Sequence, residues 1–98
     1  MYAALRHLRC APGKSREVAE IIDAEYVPLV REMDGALSFT LIHLGTDEFN
    51  SLGLFSTEAA ALRANDLAVA WATERLASLI ASRPEASNGA VFLHHRFD

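Results

Sequence analysis

The order in which two periodicities alternate constrains this chain more than any single motif. Side chains alternate from Tyr2 to Cys10, and three- and four-residue spacing takes over from about Ser15. Alternation returns over Ala36 to Leu44 and again over Phe49 to Phe55, with Gly45-Thr46-Asp47-Glu48 between them as a hairpin turn. A second helical stretch follows Ser56 or Thr57, and Ala90 to Phe97 reads as a last strand. The pattern is a βαβ unit used twice around a hairpin. With right-handed crossovers it predicts an α+β, ferredoxin-like βαββαβ domain. Its four-stranded antiparallel sheet has the order 4-1-3-2, with both helices on one face. The 98 residues make a single domain, 1–98.

Local signals refine this outline. Pro12-Gly13 ends the first strand, and Ser15 is placed to cap the first helix. Val18, Ile22, Tyr26, Leu29 and Met33 form its apolar stripe, and Pro28 should kink or break it near Val27. Gly53 inside the third strand signals a bulge or a close backbone approach. Asn65-Asp66 can re-cap the chain, which predicts a second helix in two pieces. The second piece carries Val69, Leu76, Leu79 and Ile80 on its stripe with Leu67 and Trp71 beside it, and Arg83-Pro84 ends it.

Helices on one side leave the opposite sheet face bare, and in a soluble monomer that face should be polar. Here Leu37, Phe39 and Leu41 lie on one face of the second strand and Ile42 and Leu44 on the other. Val91, Leu93, Phe97 and Ala90, Phe92 divide the last strand in the same way. Hydrophobic residues are 51% of the chain, more than one small core needs. A second copy, related by two-fold symmetry, is the simplest cover, so a homodimer through the open sheet face is expected.

Charge and cysteine content narrow the function. Nine Lys and Arg stand against thirteen Asp and Glu, a balance that repels nucleic acid and anionic membrane. Cys10 is alone, which rules out an intrachain disulfide and a cysteine-based zinc site and fits a cytoplasmic location. Arg6, His7 and Arg9 interrupt the place where a signal peptide would be apolar, and no stretch is apolar enough to span a membrane. His94 and His95 are neighbours on a strand and point to opposite faces, so no metal site is expected from them. The same geometry separates Cys10 from His7 as a nucleophile pair.

At this level the chain resembles the dimeric α/β barrel superfamily, and within it the antibiotic biosynthesis monooxygenase-like proteins. The likeness rests on Pro12-Gly13-Lys14, Pro28-Leu29, Asp34-Gly35-Ala36-Leu37-Ser38, Leu54-Phe55-Ser56-Thr57-Glu58-Ala59-Ala60, Trp71 and Gly89-Ala90-Val91. It implies a homodimer whose sheets pack face to face, with a cavity between each sheet and its helices. Quinone-forming members resemble this chain near the third strand but carry tryptophan at Phe55, asparagine at Ser51 and tyrosine at Ala61. Haem-degrading members use a histidine on the second helix, and none occurs here between Leu44 and Leu93.

The residues that could carry chemistry follow. Arg6 and His7 sit on a central strand, where charge is costly unless paired. One reading is exposure at a strand end or an ion pair. The other puts one of them in the cavity, His7 as a proton acceptor or, with the faces reversed, Arg6 as an anchor for an anion. Phe55 and Trp71 are candidate walls of a ligand pocket, beside their reading as core, and Asn65 is its polar candidate, beside its reading as a helix break. Two functions are compatible with these residues. One is a cofactor-independent monooxygenase, or related enzyme, acting on a small apolar or aromatic metabolite. The other is a non-catalytic homodimer that binds such a molecule.

Overall fold

A computed structural model of the protein describes residues 1–98. Strand β1 spans Tyr2–Arg9 and is followed by helix α1, Ser15–Ile21, a π-helical turn, Ile22–Tyr26, and helix α2, Val27–Arg31. Strands β2, Ala36–His43, and β3, Glu48–Phe55, form the hairpin, and helix α3, Glu58–Arg75, precedes strand β4, Glu85–Ala90. The sheet order is β2-β3-β1-β4 with every pair antiparallel, so the expected topology holds.

The alternation of β1 sorts its side chains cleanly. Ala4, Arg6 and Leu8 are buried under the helices, while Leu5 and Arg9 lie exposed on the open face. Register then places Gly53, Ser51 and Phe49 of β3 opposite these three buried residues, and Phe39 and Leu41 of β2 opposite Gly53 and Ser51. The core fills the gap between this face and the helices, with Val18, Phe55 and Leu76 its largest fully buried side chains. Gly53 is explained by close approach, since an added Cβ would lie 2.8 Å from the Phe55 ring; the bulge of the sheet lies in β2, between Ala36 and Ser38.

Pro28 does not break the first helical run. It sits in the first turn of α2, inside a run whose backbone stays helical from Ser15 to Arg31. The π turn before it accommodates the ring by spending one extra residue. That residue delays the apolar stripe by one position. Val18, Ile22, Tyr26 and Val30 are buried, whereas the expected Leu29 is 43% exposed. Ser15 is the first helical residue rather than the cap. The N-terminus of α1 is instead met from the hairpin turn, where the Asp47 carboxylate accepts the Gly13 N–H at 3.0 Å.

α3 is one continuous helix, capped by Thr57, whose hydroxyl accepts the Ala60 N–H at 3.1 Å. The expected break at Asn65-Asp66 does not occur, because Asn65 faces the sheet and spends its amide there instead of on its own backbone. Its fully buried face consists of Ala60, Ala61, Ala64, Ala68 and Ala72 around Asn65, small groups that let the helix lie close to the sheet. Of the expected stripe, Leu76 is fully buried and Leu67, Trp71, Leu79 and Ile80 pack partly buried against the core, but the helix ends at Arg75, before Leu76, Leu79 and Ile80 and well short of Arg83-Pro84.

The last strand differs most from expectation. β4 is Glu85–Ala90, not Ala90 to Phe97. After α3 the chain turns and bridges Ile80 to Cys10, so it meets the far end of β1 early. Pairing begins at His7 with Glu85 and reaches Tyr2 at Ala90, where β1 runs out. Register against an eight-residue neighbour overrides the higher strand propensity of the residues that follow. After one further bond, Val91 N–H to Met1 O, the tail leaves the sheet with Phe92, Leu93 and Phe97 81–94% exposed.

Candidate functional site

Between the sheet and the helices lies a cavity of about 40 Å³. Tyr26 and Ile22 reach it from the π turn, Phe39 and Leu41 from β2, Phe49 and Ser51 from β3, and Trp71, Ala68 and Ala72 from α3. Arg6 enters from β1. Its wall is aromatic. Tyr26 packs edge-on to Phe39 with ring centroids 5.7 Å apart and lies 5.1 Å from Trp71. The free volume holds about three waters, while a benzene-sized guest needs about 150 Å³, so admitting a ring requires a side chain to yield. Trp71 is half-buried and also borders a surface depression with Glu74 and Arg75. Beside it, Arg75 clasps Glu25 through two 2.7 Å bonds, joining α3 to the π turn.

Arg6 is the charged group of the cavity and is only 6% exposed. Its Nη1 donates to Asn65 Oδ1 at 3.2 Å and more weakly to Ala4 O at 3.5 Å. Its Cζ lies 5.9 Å from the Phe39 centroid, a cation–π distance. None of the chain's ion pairs includes it. Burial lowers the Arg6 pKa, because desolvation disfavours its charge. The Tyr26 hydroxyl is buried without a hydrogen-bond partner, and burial raises its pKa, with the Arg6 charge opposing. It is therefore a neutral donor at physiological pH.

The candidate residues fall into separate places. Arg6 and Trp71 line the cavity, and Asn65 supports it by accepting from Arg6 and donating to Ser87 O at 2.8 Å. Phe55 is buried in the core with its ring against Gly53 and does not line the cavity. His7 lies on the opposite sheet face, where its Nε2 is 3.0 Å from Glu48 Oε1, an oxygen that also accepts from Arg9 at 3.2 Å. The sequence placed Tyr26 only on the apolar stripe of the first helix, although a hydroxyl on such a stripe is a signal for a site. No group of three or more His, Cys, Asp or Glu is placed to hold a metal ion, and no helix is long and apolar enough to cross a membrane.

This is a ferredoxin-like α+β domain with an aromatic cavity under its helices. The same fold is found in antibiotic biosynthesis monooxygenases. A monooxygenase from Streptomyces coelicolor, solved in complex with the ligand nanaomycin D, is 25% identical, with 95% of this chain and 92% of that one covered and a TM-score of 0.67. SnoaB, a cofactor-independent oxygenase from Streptomyces nogalater, is 14% identical over 95% and 94%, with a TM-score of 0.73. A protein of unknown function from Nitrosomonas europaea is 21% identical over 99% and 94%, with a TM-score of 0.77. No family model and no curated protein matches the chain.

Proposed function

We propose that this protein binds a small aromatic metabolite in the cavity between sheet and helices and oxidises it with dioxygen, without a resident cofactor, as a homodimer. The observation that carries this reading is the lining, Tyr26, Phe39, Phe49 and Trp71 around one buried cation, Arg6, at a space that opens from about 40 Å³ when a side chain yields to the guest. Two neighbours of the same fold, the Streptomyces monooxygenase and SnoaB, support oxygenase chemistry. A phenol oxidised to a quinone needs no external reductant. One oxygen atom enters the ring, and the other leaves as water with the two hydrogens the substrate gives up. The protein's part is to exclude water, align the ring and stabilise the reacting anion.

Dimerisation is supported by the open face, where Leu5 and Ile42 are 42% and 46% exposed, and by the apolar tail after Ala90. A second reading, a homodimeric binding protein without turnover, is favoured by one observation: the cavity lining includes no imidazole or carboxylate to act as a base. Oxygen uptake and product analysis over a panel of phenols and hydroquinones separates the two. Turnover above the uncatalysed rate, lost in an Ala68→Leu variant that fills the cavity, is expected. Trp71 fluorescence that responds to these compounds while wild type and Ala68→Leu consume oxygen equally would leave only binding.

A further inference from the structure

We propose that Arg6 and Tyr26 form an oxyanion-binding end of the cavity, so that its ligand is a small aromatic molecule carrying one carboxylate or ionised hydroxyl. The inference rests on the cavity being a ligand site and goes on to name the ligand's charge. Three observations carry it. First, Arg6 is buried with no counter-ion. A guanidinium offers five N–H donors, and only Nη1 is engaged, by Asn65 and weakly by Ala4. Second, the Tyr26 hydroxyl, on a residue 3% exposed, has no partner and lines the same space. Third, Arg6 and Tyr26 are the ionisable side chains of the lining, and both present hydrogens.

A cavity with a cation and an idle hydroxyl donor but no anionic acceptor is complementary to a group that only accepts. A carboxylate or phenolate has that character, and its charge would offset the buried guanidinium. A neutral guest would leave Arg6 uncompensated in a low-dielectric site. The aromatic rings of Phe39 and Trp71 lie directly beside Arg6 and Tyr26, so the ligand's own ring is taken next to the group that carries its charge. An ionised hydroxyl held this way is also the electron-rich form that reacts with dioxygen.

The test uses the full-length protein and Trp71, its only tryptophan, as the reporter. Benzoate is titrated against benzamide, its neutral isostere, and 4-nitrophenol is titrated with its visible spectrum followed. Benzoate binding at least about tenfold tighter than benzamide is expected, consistent with a charge-assisted bond. The 4-nitrophenol should bind as its yellow anion at pH values where it is mostly protonated in water. Benzoate preference without that shift assigns the site to carboxylates, and the shift without the preference assigns it to phenolates. Arg6→Met should abolish the discrimination, and Tyr26→Phe, which removes only the idle hydroxyl, should weaken it several-fold and remain folded. Equal binding of benzoate and benzamide, with no shift of 4-nitrophenol, would overturn the anion assignment and leave the aromatic cavity standing. No response to any of the three would overturn both.

Discussion

Asn65 is where the fold and the site depend on the same side chain, and replacing it tests both. Asn65→Ala removes two hydrogen bonds from a side chain 7% exposed, one accepted from the Arg6 guanidinium and one donated to Ser87 O. A bond to a charged group contributes about 1.5–3 kcal/mol and a neutral one about 0.5–1.5 kcal/mol. The expected loss is therefore about 2–4 kcal/mol, which lowers the melting temperature of a domain this size by roughly 10–25 °C. Urea unfolding at neutral pH and equal protomer concentration measures it, and the denaturant slope should stay unchanged if only stability moves. A loss below about 1 kcal/mol would refute the argument, because it would mean that neither Arg6 nor the edge strand relies on α3 for a buried partner.

Three further outcomes follow from other contacts. Gly53→Ala should cost about 1–3 kcal/mol by pushing the Phe55 ring out of its place, and thermal unfolding reads it directly. Burial raises the Cys10 thiol from its ordinary 9.0 to about 11, with Asp47 contributing. Its folded-state pKa lies above the unfolded one, so the stabilisation is whole below pH 9 and is lost as pH rises towards about 11. Alkaline melting curves should flatten over that window in Cys10→Ala, and identical curves would sink the assignment. Phe92 is 93% exposed, so Phe92→Asp disturbs no contact within one chain. It should nonetheless shift sedimentation from dimer to monomer, and an unchanged sedimentation coefficient would count against an interface that includes the tail.

The sheet order was legible because alternation over β1 and β3 is clean and the hairpin between β2 and β3 leaves few ways to connect them. Arg6 also stood out, since a charge on a central strand needs a reason. What local pattern could not show was decided by neighbours distant in sequence. The π turn shifts Leu29 out and Val30 in, which a fixed 3.6 period hides. Asn65 looked like a helix break because its partners, Arg6 and Ser87, lie on two different strands. β4 was displaced because residues of low strand propensity are recruited by the length of β1. Which of Arg6 and His7 meets the cavity turns on a one-residue parity that either face could satisfy, and the packing of α3 over β1 decides it in favour of Arg6.

The alanine face of α3 has a consequence for how such a site can change over time. Ala68 and Ala72 wall the cavity with single methyl groups, and neither takes part in holding Arg6. One substitution at either position, to glycine or to valine, alters the room available by about one or two methyl groups while leaving the charged end as it is. The proposed site therefore sets ligand size and ligand charge through different residues, so that a change at Ala68 or Ala72 alters the one without touching the other.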